Sequence, residues 1–149
     1  MIVGTGVDLC EIARVRRLLD RWRERFLDRV FTAEEQAYAL ARHDPAEHLA
    51  ARFAAKEATL KALGTGLSMG VRWREIEVLR PRGQRPTIAL SGRAATIGRA
   101  RGVHRLHLSL THDGGLALAQ VLAVADAPDR AGDAVETEPG DPRGEPARP

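Results

Sequence analysis

Arg52-Phe53-Ala54-Ala55-Lys56-Glu57-Ala58-Thr59-Leu60-Lys61-Ala62-Leu63-Gly64 is mostly Ala, Leu, Glu and Lys, all strong helix formers. Helix signals bracket it. Asp44-Pro45 supplies a capping acid and a first-turn proline upstream, and Gly64 stands where a C-terminal glycine cap belongs. The spacing predicts one long helix with Leu49, Phe53 and Leu60 as the stripe that faces the core. Glu57 falls inside that stripe, and Lys61 lies one turn further on, at its edge. A carboxylate turned inward is costly unless it is paired or bound to a cation. An ordinary Glu57–Lys61 ion pair along the helix meets that need as well, so this stretch alone leaves both readings open.

The same stretch holds the only two lysines, Lys56 and Lys61, whereas the other 21 cationic side chains are arginine. Arginine is a planar fork, while lysine is a compact ammonium that can sit as a point charge beside phosphate. An arginine-rich composition explains the bias but not why both lysines flank one glutamate. The cluster points to phosphate chemistry.

Upstream, Met1 to Leu9 alternates as a strand, with Val3, Thr5, Val7 and Leu9 on one face and Ile2, Gly4, Gly6 and Asp8 on the other. The two glycines open the Asp8 face to another backbone or to a ligand. Asp8-Leu9-Cys10-Glu11 also reads as a helix cap with its partner three residues on. Alternatively, Asp8 and Glu57 share a hard cation such as magnesium, which takes a few carboxylates together with water and phosphate oxygens. Ile12, Val15, Leu18, Leu19, Trp22 and Phe26 recur at helical spacing from Cys10 to about Arg29, among seven arginines. Thr32-Ala33-Glu34-Glu35 is a capping-box signature opening a helix to about Arg42.

Downstream, Glu75–Arg80 and Thr87–Leu90 read as short strands and Gly92–Arg101 as a helix. His104–His112 and Leu116–Val124 form a hairpin through Asp113-Gly114-Gly115. The expected class is α+β, an antiparallel sheet packed against a long helix.

The chain of 149 residues suits one domain, placed at 1–125. Residues 126–149, rich in Pro, Gly and acids, read as a disordered tail with a net charge of −4, from seven acids and three arginines. The whole chain is +3, so the body is +7, which implies an anionic partner. A lone cysteine, Cys10, rules out an internal disulfide. With no signal-like start and no apolar run of spanning length, the expectation is a cytoplasmic protein with no membrane partner. Low aromatic content argues against a stacking platform for nucleic acid.

Two further segments carry weaker signals. Leu108-Ser109-Leu110-Thr111-His112-Asp113 puts hydroxyls and a histidine at a strand end. Gly64-Thr65-Gly66 lets backbone amides approach a phosphate.

Taken in order, these blocks resemble the holo-[acyl-carrier-protein] synthases, the short bacterial 4'-phosphopantetheinyl transferases. The blocks are Gly4-Thr5-Gly6-Val7-Asp8-Leu9 with Glu11 and Arg14, then Phe31-Thr32-Ala33-Glu34-Glu35, then Arg52 to Gly66, and last Leu108 to Asp113 followed by Ala117, Ala119 and Gln120. The resemblance covers about Met1 to Val124. It implies transfer of phosphopantetheine from coenzyme A to a serine of apo acyl carrier protein, with adenosine 3',5'-bisphosphate released. It further implies magnesium held by Asp8 and Glu57, and catalytic roles for Glu57 and for Lys61 at the pyrophosphate. Coenzyme A contacts would come from Arg52, Lys56, Gly64, Thr65, Gly66, Ser109, Thr111 and His112. Carrier-protein docking would fall to Arg14, Arg17 and Arg21 on the arginine-rich first helix. Longer relatives join two such halves, so a half-size chain implies an oligomer, a homotrimer with each site between subunits. Glu57, Glu35 and a metal-bound water are all open as the base. Two alternatives compete: an arginine-rich nucleic-acid-binding module, which leaves Asp8, Glu57 and the lysines unexplained, and another magnesium enzyme acting on a nucleotide diphosphate.

Overall fold

β1 (Ile2–Glu11) lies at one edge of a three-stranded antiparallel sheet, ordered β1-β5-β4, with β5 (Leu116–Val124) central and β4 (Arg105–Asp113) at the other edge. A computed structural model describes residues 1–126, so the expected tail lies outside them but for Asp126. The β4–β5 hairpin forms as the sequence predicts, turning at Gly114 and Gly115, both with positive φ.

α3 (Pro45–Leu63) packs across the sheet. Contact is backbone to backbone at β1. A Cβ at Gly4 would lie 2.0 Å from the Ala62 carbonyl oxygen, and one at Gly6 would lie 1.8 Å from that of Ala58. The inner face of β5 is equally lean, with Ala117, Ala119, Val121 and Ala123 all buried. The glycines open the Asp8 face to the helix itself.

The narrow apolar stripe expected for α3 is too small. Leu49, Ala50, Ala54, Ala55, Ala58, Leu60, Ala62 and Leu63 are all buried, around most of the helix. A helix apolar on nearly every side is a core element rather than a surface one. Phe53 is only partly buried, stacked 5.1 Å from Trp73. Gly64 caps the helix at φ +65, as the sequence predicts.

α1 (Ile12–Val30) begins two residues later than expected, because β1 runs on to Glu11. It kinks at Trp22 (φ −132, ψ 21), which breaks the helical register. Trp22, expected on the buried side, is 42% exposed, and beyond the kink Leu27 and Val30 take the core positions. α2 (Ala33–Leu40) opens with the expected capping box. β2 (Ile76–Leu79) and β3 (Thr87–Leu90) form a separate hairpin, and α4 (Gly92–Ala100) closes a second small core with Leu60, Val71 and Ile76. The architecture is the expected α+β class, with one sheet divided into two.

Candidate active site

Asp8 leaves β1 on the face that packs against α3. The cap reading fails: Asp8 lies inside the strand, and the residue before α1 is Glu11, which makes no capping hydrogen bond. Lys61, in the last turn of α3, places its ammonium 2.9 Å from Asp8 Oδ1 and donates to the Val7 carbonyl oxygen, also at 2.9 Å. The intrahelical alternative therefore loses, since Lys61 pairs across to the strand rather than with Glu57. The site is open to solvent, with the Lys61 side chain 52% exposed and Asp8 17%.

Glu57 is half-buried beside this pair. Burial pushes its carboxyl upward, the Asp8 charge adds to the rise, and Lys61 and Arg14 oppose it. Two carboxylates that feel each other's charge in a partly desolvated place form an electrostatic problem a cation solves. Among the described residues no cluster of three or more His, Cys, Asp or Glu could hold a metal. A two-carboxylate set suits magnesium, whose remaining positions go to water and phosphate oxygens.

Lys56, one residue from Glu57, points the other way. It is fully buried, 2.8 Å from Glu35 Oε2, and its ammonium also donates to the carbonyl oxygens of Trp73 and Ile76. Glu35 completes the seal, taking the Thr32 amide in the capping box and the Val78 amide on Oε1. All the donors of Lys56 are spent inside the fold, so the expected contact with coenzyme A is not available to it in this chain. Glu35, 1% exposed, is likewise out of reach of any substrate proton.

The other expected ligand-contacting residues lie away from Asp8. Arg52, 3% exposed, lies over the Tyr38 ring at 4.1 Å, donates to the His48 carbonyl oxygen, and has an Nε with no hydrogen-bond partner. It lines a cavity of about 360 Å³ with Arg80, His48, Thr111 and His112. His112 Nε2 lies 3.2 Å from Glu47. This cavity sits at the β4 edge of the sheet, and Asp8 at the β1 edge. Ser109 belongs to neither group. By register it shares the outer sheet face with Val7 and Gln120, beside Arg85 and Thr87.

At the end of α3, Thr65 is 4% exposed with an unpartnered hydroxyl, while Gly66 has open space where a side chain would be. Arg101 of the segment after α4 lies over Gly64, its Nη1 2.5 Å from where a Cβ would stand. Arg80, His48 and Arg101 escape sequence reading, because each joins its neighbours only through the tertiary fold. Arg14, Arg17 and Arg21 are exposed on α1, and Arg21 stacks 5.0 Å from the Trp22 ring centroid.

A sequence profile of the 4'-phosphopantetheinyl transferase superfamily matches residues 4–123. The chain belongs to this superfamily. Within it, the holo-[acyl-carrier-protein] synthase of Anaeromyxobacter dehalogenans is 53% identical over 125 residues, 82% of this chain and 95% of that protein. Among solved structures, the phosphopantetheinyl transferase fold recurs in the holo-[acyl-carrier-protein] synthase of Neisseria meningitidis. That structure has a TM-score of 0.75 and 34% identity, covering 83% of this chain and 99% of that one. The Bacillus anthracis synthase, solved with CoA (3',5'-ADP), has a TM-score of 0.69 and 34% identity over 85% of this chain and 99% of its own.

Proposed function

We propose that this chain transfers the 4'-phosphopantetheine group from coenzyme A to a serine of apo acyl carrier protein, releasing adenosine 3',5'-bisphosphate. The observation that carries the reading is the Lys61–Asp8 contact at 2.9 Å beside the raised carboxyl of Glu57. One ammonium and two carboxylates close together support a role in holding a pyrophosphate and a divalent cation. Relatives named holo-[acyl-carrier-protein] synthase support the reaction, and the Bacillus anthracis structure supports coenzyme A as donor.

In the transfer, the serine oxygen of the carrier bonds to the β-phosphorus of coenzyme A, the bond from that phosphorus to the bridging oxygen breaks, and the bisphosphate leaves with the electron pair. Asp8 and Glu57 would hold magnesium, which when bound neutralises pyrophosphate charge. Lys61 offsets charge growing on the bridging oxygen, so it acts mainly in the transition state. The serine proton needs an acceptor, and of the two glutamates left open by sequence only Glu57 is within reach of solvent. Such sites rely on alignment and charge more than on covalent help from the protein.

Arg52, Thr111, His112 and Ser109, with the Gly64-Thr65-Gly66 turn, would contact coenzyme A, and Arg14, Arg17 and Arg21 would dock the acidic carrier. The separation of the Asp8 and Arg52 groups on opposite sheet edges supports a site shared between neighbouring copies, in a homotrimer. The outer sheet face supports it too: Val3, Val7 and Leu9 are 43%, 49% and 57% exposed. A cytoplasmic location and a place in fatty acid synthesis complete the proposal; no described helix is long and apolar enough to cross a membrane.

The deciding experiment incubates the chain with coenzyme A, magnesium and an apo carrier protein and weighs the carrier. A mass gain of one phosphopantetheine, lost with Glu57→Gln, is the expected result. No gain with any apo carrier would sink the proposal.

A further inference from the structure

α1 carries seven exposed arginines, and among the described residues only Arg16 has an acid partner, Asp44 at 2.7 Å. Arg14, Arg17, Arg21, Arg23, Arg25 and Arg29 have no acid of the described residues within ion-pair distance. At the kink, Trp22 stands exposed between Arg21 and Arg25, whose guanidinium carbons lie 5.0 and 5.9 Å from its ring. Asp20, Glu24 and Asp28 are exposed on the same helix, so seven arginines against four acids leave Glu11–Arg29 at a net +3. A cationic surface with an aromatic at its kink suits an acidic peptide.

One such peptide is part of the same chain. Residues 131–142, Ala-Gly-Asp-Ala-Val-Glu-Thr-Glu-Pro-Gly-Asp-Pro, hold four acids and no base. They follow the region that matches the superfamily, which ends at 123. The described chain ends beyond β5, where Ala125 pairs with Met1. Since β1 and α3 run side by side, Gly4 against Ala62, the same end of the molecule holds the C-terminus of α3. The cavity lined by Arg29, Leu67 and Trp73 brings the last turn of α1 near the segment that follows α3. The 23 residues after Asp126 can span at most about 80 Å, and α1 is about 28 Å long, so reach is no obstacle. A tethered ligand acts at an effective concentration of about millimolar, so weak attraction suffices.

We infer that the acidic stretch Asp133–Asp141 docks on the α1 face of its own chain, around Arg17, Arg21, Trp22 and Arg25, and competes there with the acyl carrier protein. The competition rests on the carrier-docking role proposed above for α1, whereas the docking itself does not. The tail then sets the carrier concentration at which the enzyme works, and makes it depend on ionic strength.

Two measurements on the full-length chain test this. A spin label at Ala134→Cys, with Cys10→Ala, should broaden amides of α1 selectively at low salt, and the effect should fade by about 0.5 M salt, where the Debye length is a few ångströms. In parallel, Asp133→Asn, Glu136→Gln, Glu138→Gln and Asp141→Asn combined should lower the KM for apo carrier several-fold, with kcat and the KM for coenzyme A unchanged. Absence of selective broadening on α1 overturns the docking whatever the kinetics show. Selective broadening with an unchanged carrier KM keeps the docking and overturns the competition, while the transferase reading is tested separately by carrier loading.

Discussion

Lys61 on α3 and Asp8 on β1, 53 residues apart in sequence, meet at 2.9 Å and join the two elements that carry the proposed chemistry. Asp8→Asn should lower kcat by about 100-fold or more, and Lys61→Met by a similar factor. Steady-state carrier loading checks this, with circular dichroism to show that the exposed pair can be changed without loss of fold. Activity within a few-fold of the parent in both variants would remove them from the reaction.

The buried Lys56–Glu35 pair makes a different prediction. Removing one partner of a fully desolvated pair leaves an uncompensated charge, so Lys56→Met should cost about 3–5 kcal/mol in urea unfolding. The folded fraction should keep its KM for coenzyme A, since the Lys56 donors end on Glu35, Trp73 and Ile76. A raised KM with unchanged stability would restore Lys56 to the ligand.

Cys10 is 4% exposed, and burial pushes its thiol up to about 11 from 9.0, with Arg14 opposing the rise. Only the unfolded thiol ionises readily between these values, so this group's contribution to stability is intact below about pH 9 and declines as pH rises toward 11. At pH 8 a thiol reagent should modify Cys10 only after denaturant is added. Rapid native labelling would contradict the burial.

Mixing two impaired variants tests the shared site. Asp8→Asn disables the β1 edge and His112→Ala the β4 edge of the sheet. If each site joins one edge from each of two neighbours, co-assembled 1:1 mixtures should recover roughly one quarter of parental activity by random pairing. Mixtures no better than the separate variants would confine the site to one chain.

Much of the fold was legible because local signals and long-range packing agree. Pro45, Gly64 and the Gly114-Gly115 turn each impose a backbone geometry that no tertiary contact contradicts. Trp22 was misplaced because a periodic pattern assumes a straight helix, and the kink changes which residues face the core. The site was legible in part. Residue type and spacing single out Asp8, Glu57 and Lys61 as candidates, whereas the inward turn of Lys56 depends on where Glu35 and the β2 backbone lie, which spacing does not encode. Ser109 and His112, three residues apart on one strand, fall on opposite sides of the sheet because the side-chain period is two.

Gly6→Ala should be among the most damaging single-methyl additions in the chain, costing about 3 kcal/mol or more because the obstacle is the Ala58 carbonyl oxygen and not a movable side chain. Thermal unfolding of Gly6→Ala beside Val7→Ala on the outer face gives the comparison, with the second expected to be nearly neutral in the isolated chain.

Main chain resting on main chain leaves no compressible layer between strand and helix. The distance between the proposed catalytic groups is thus set by van der Waals contact of one backbone on another, and evolutionary drift in core side-chain volume elsewhere has little leverage on it. Diversification of such an enzyme is therefore channelled to its rim, where donor and acceptor preferences can change while the reacting centre keeps its dimensions.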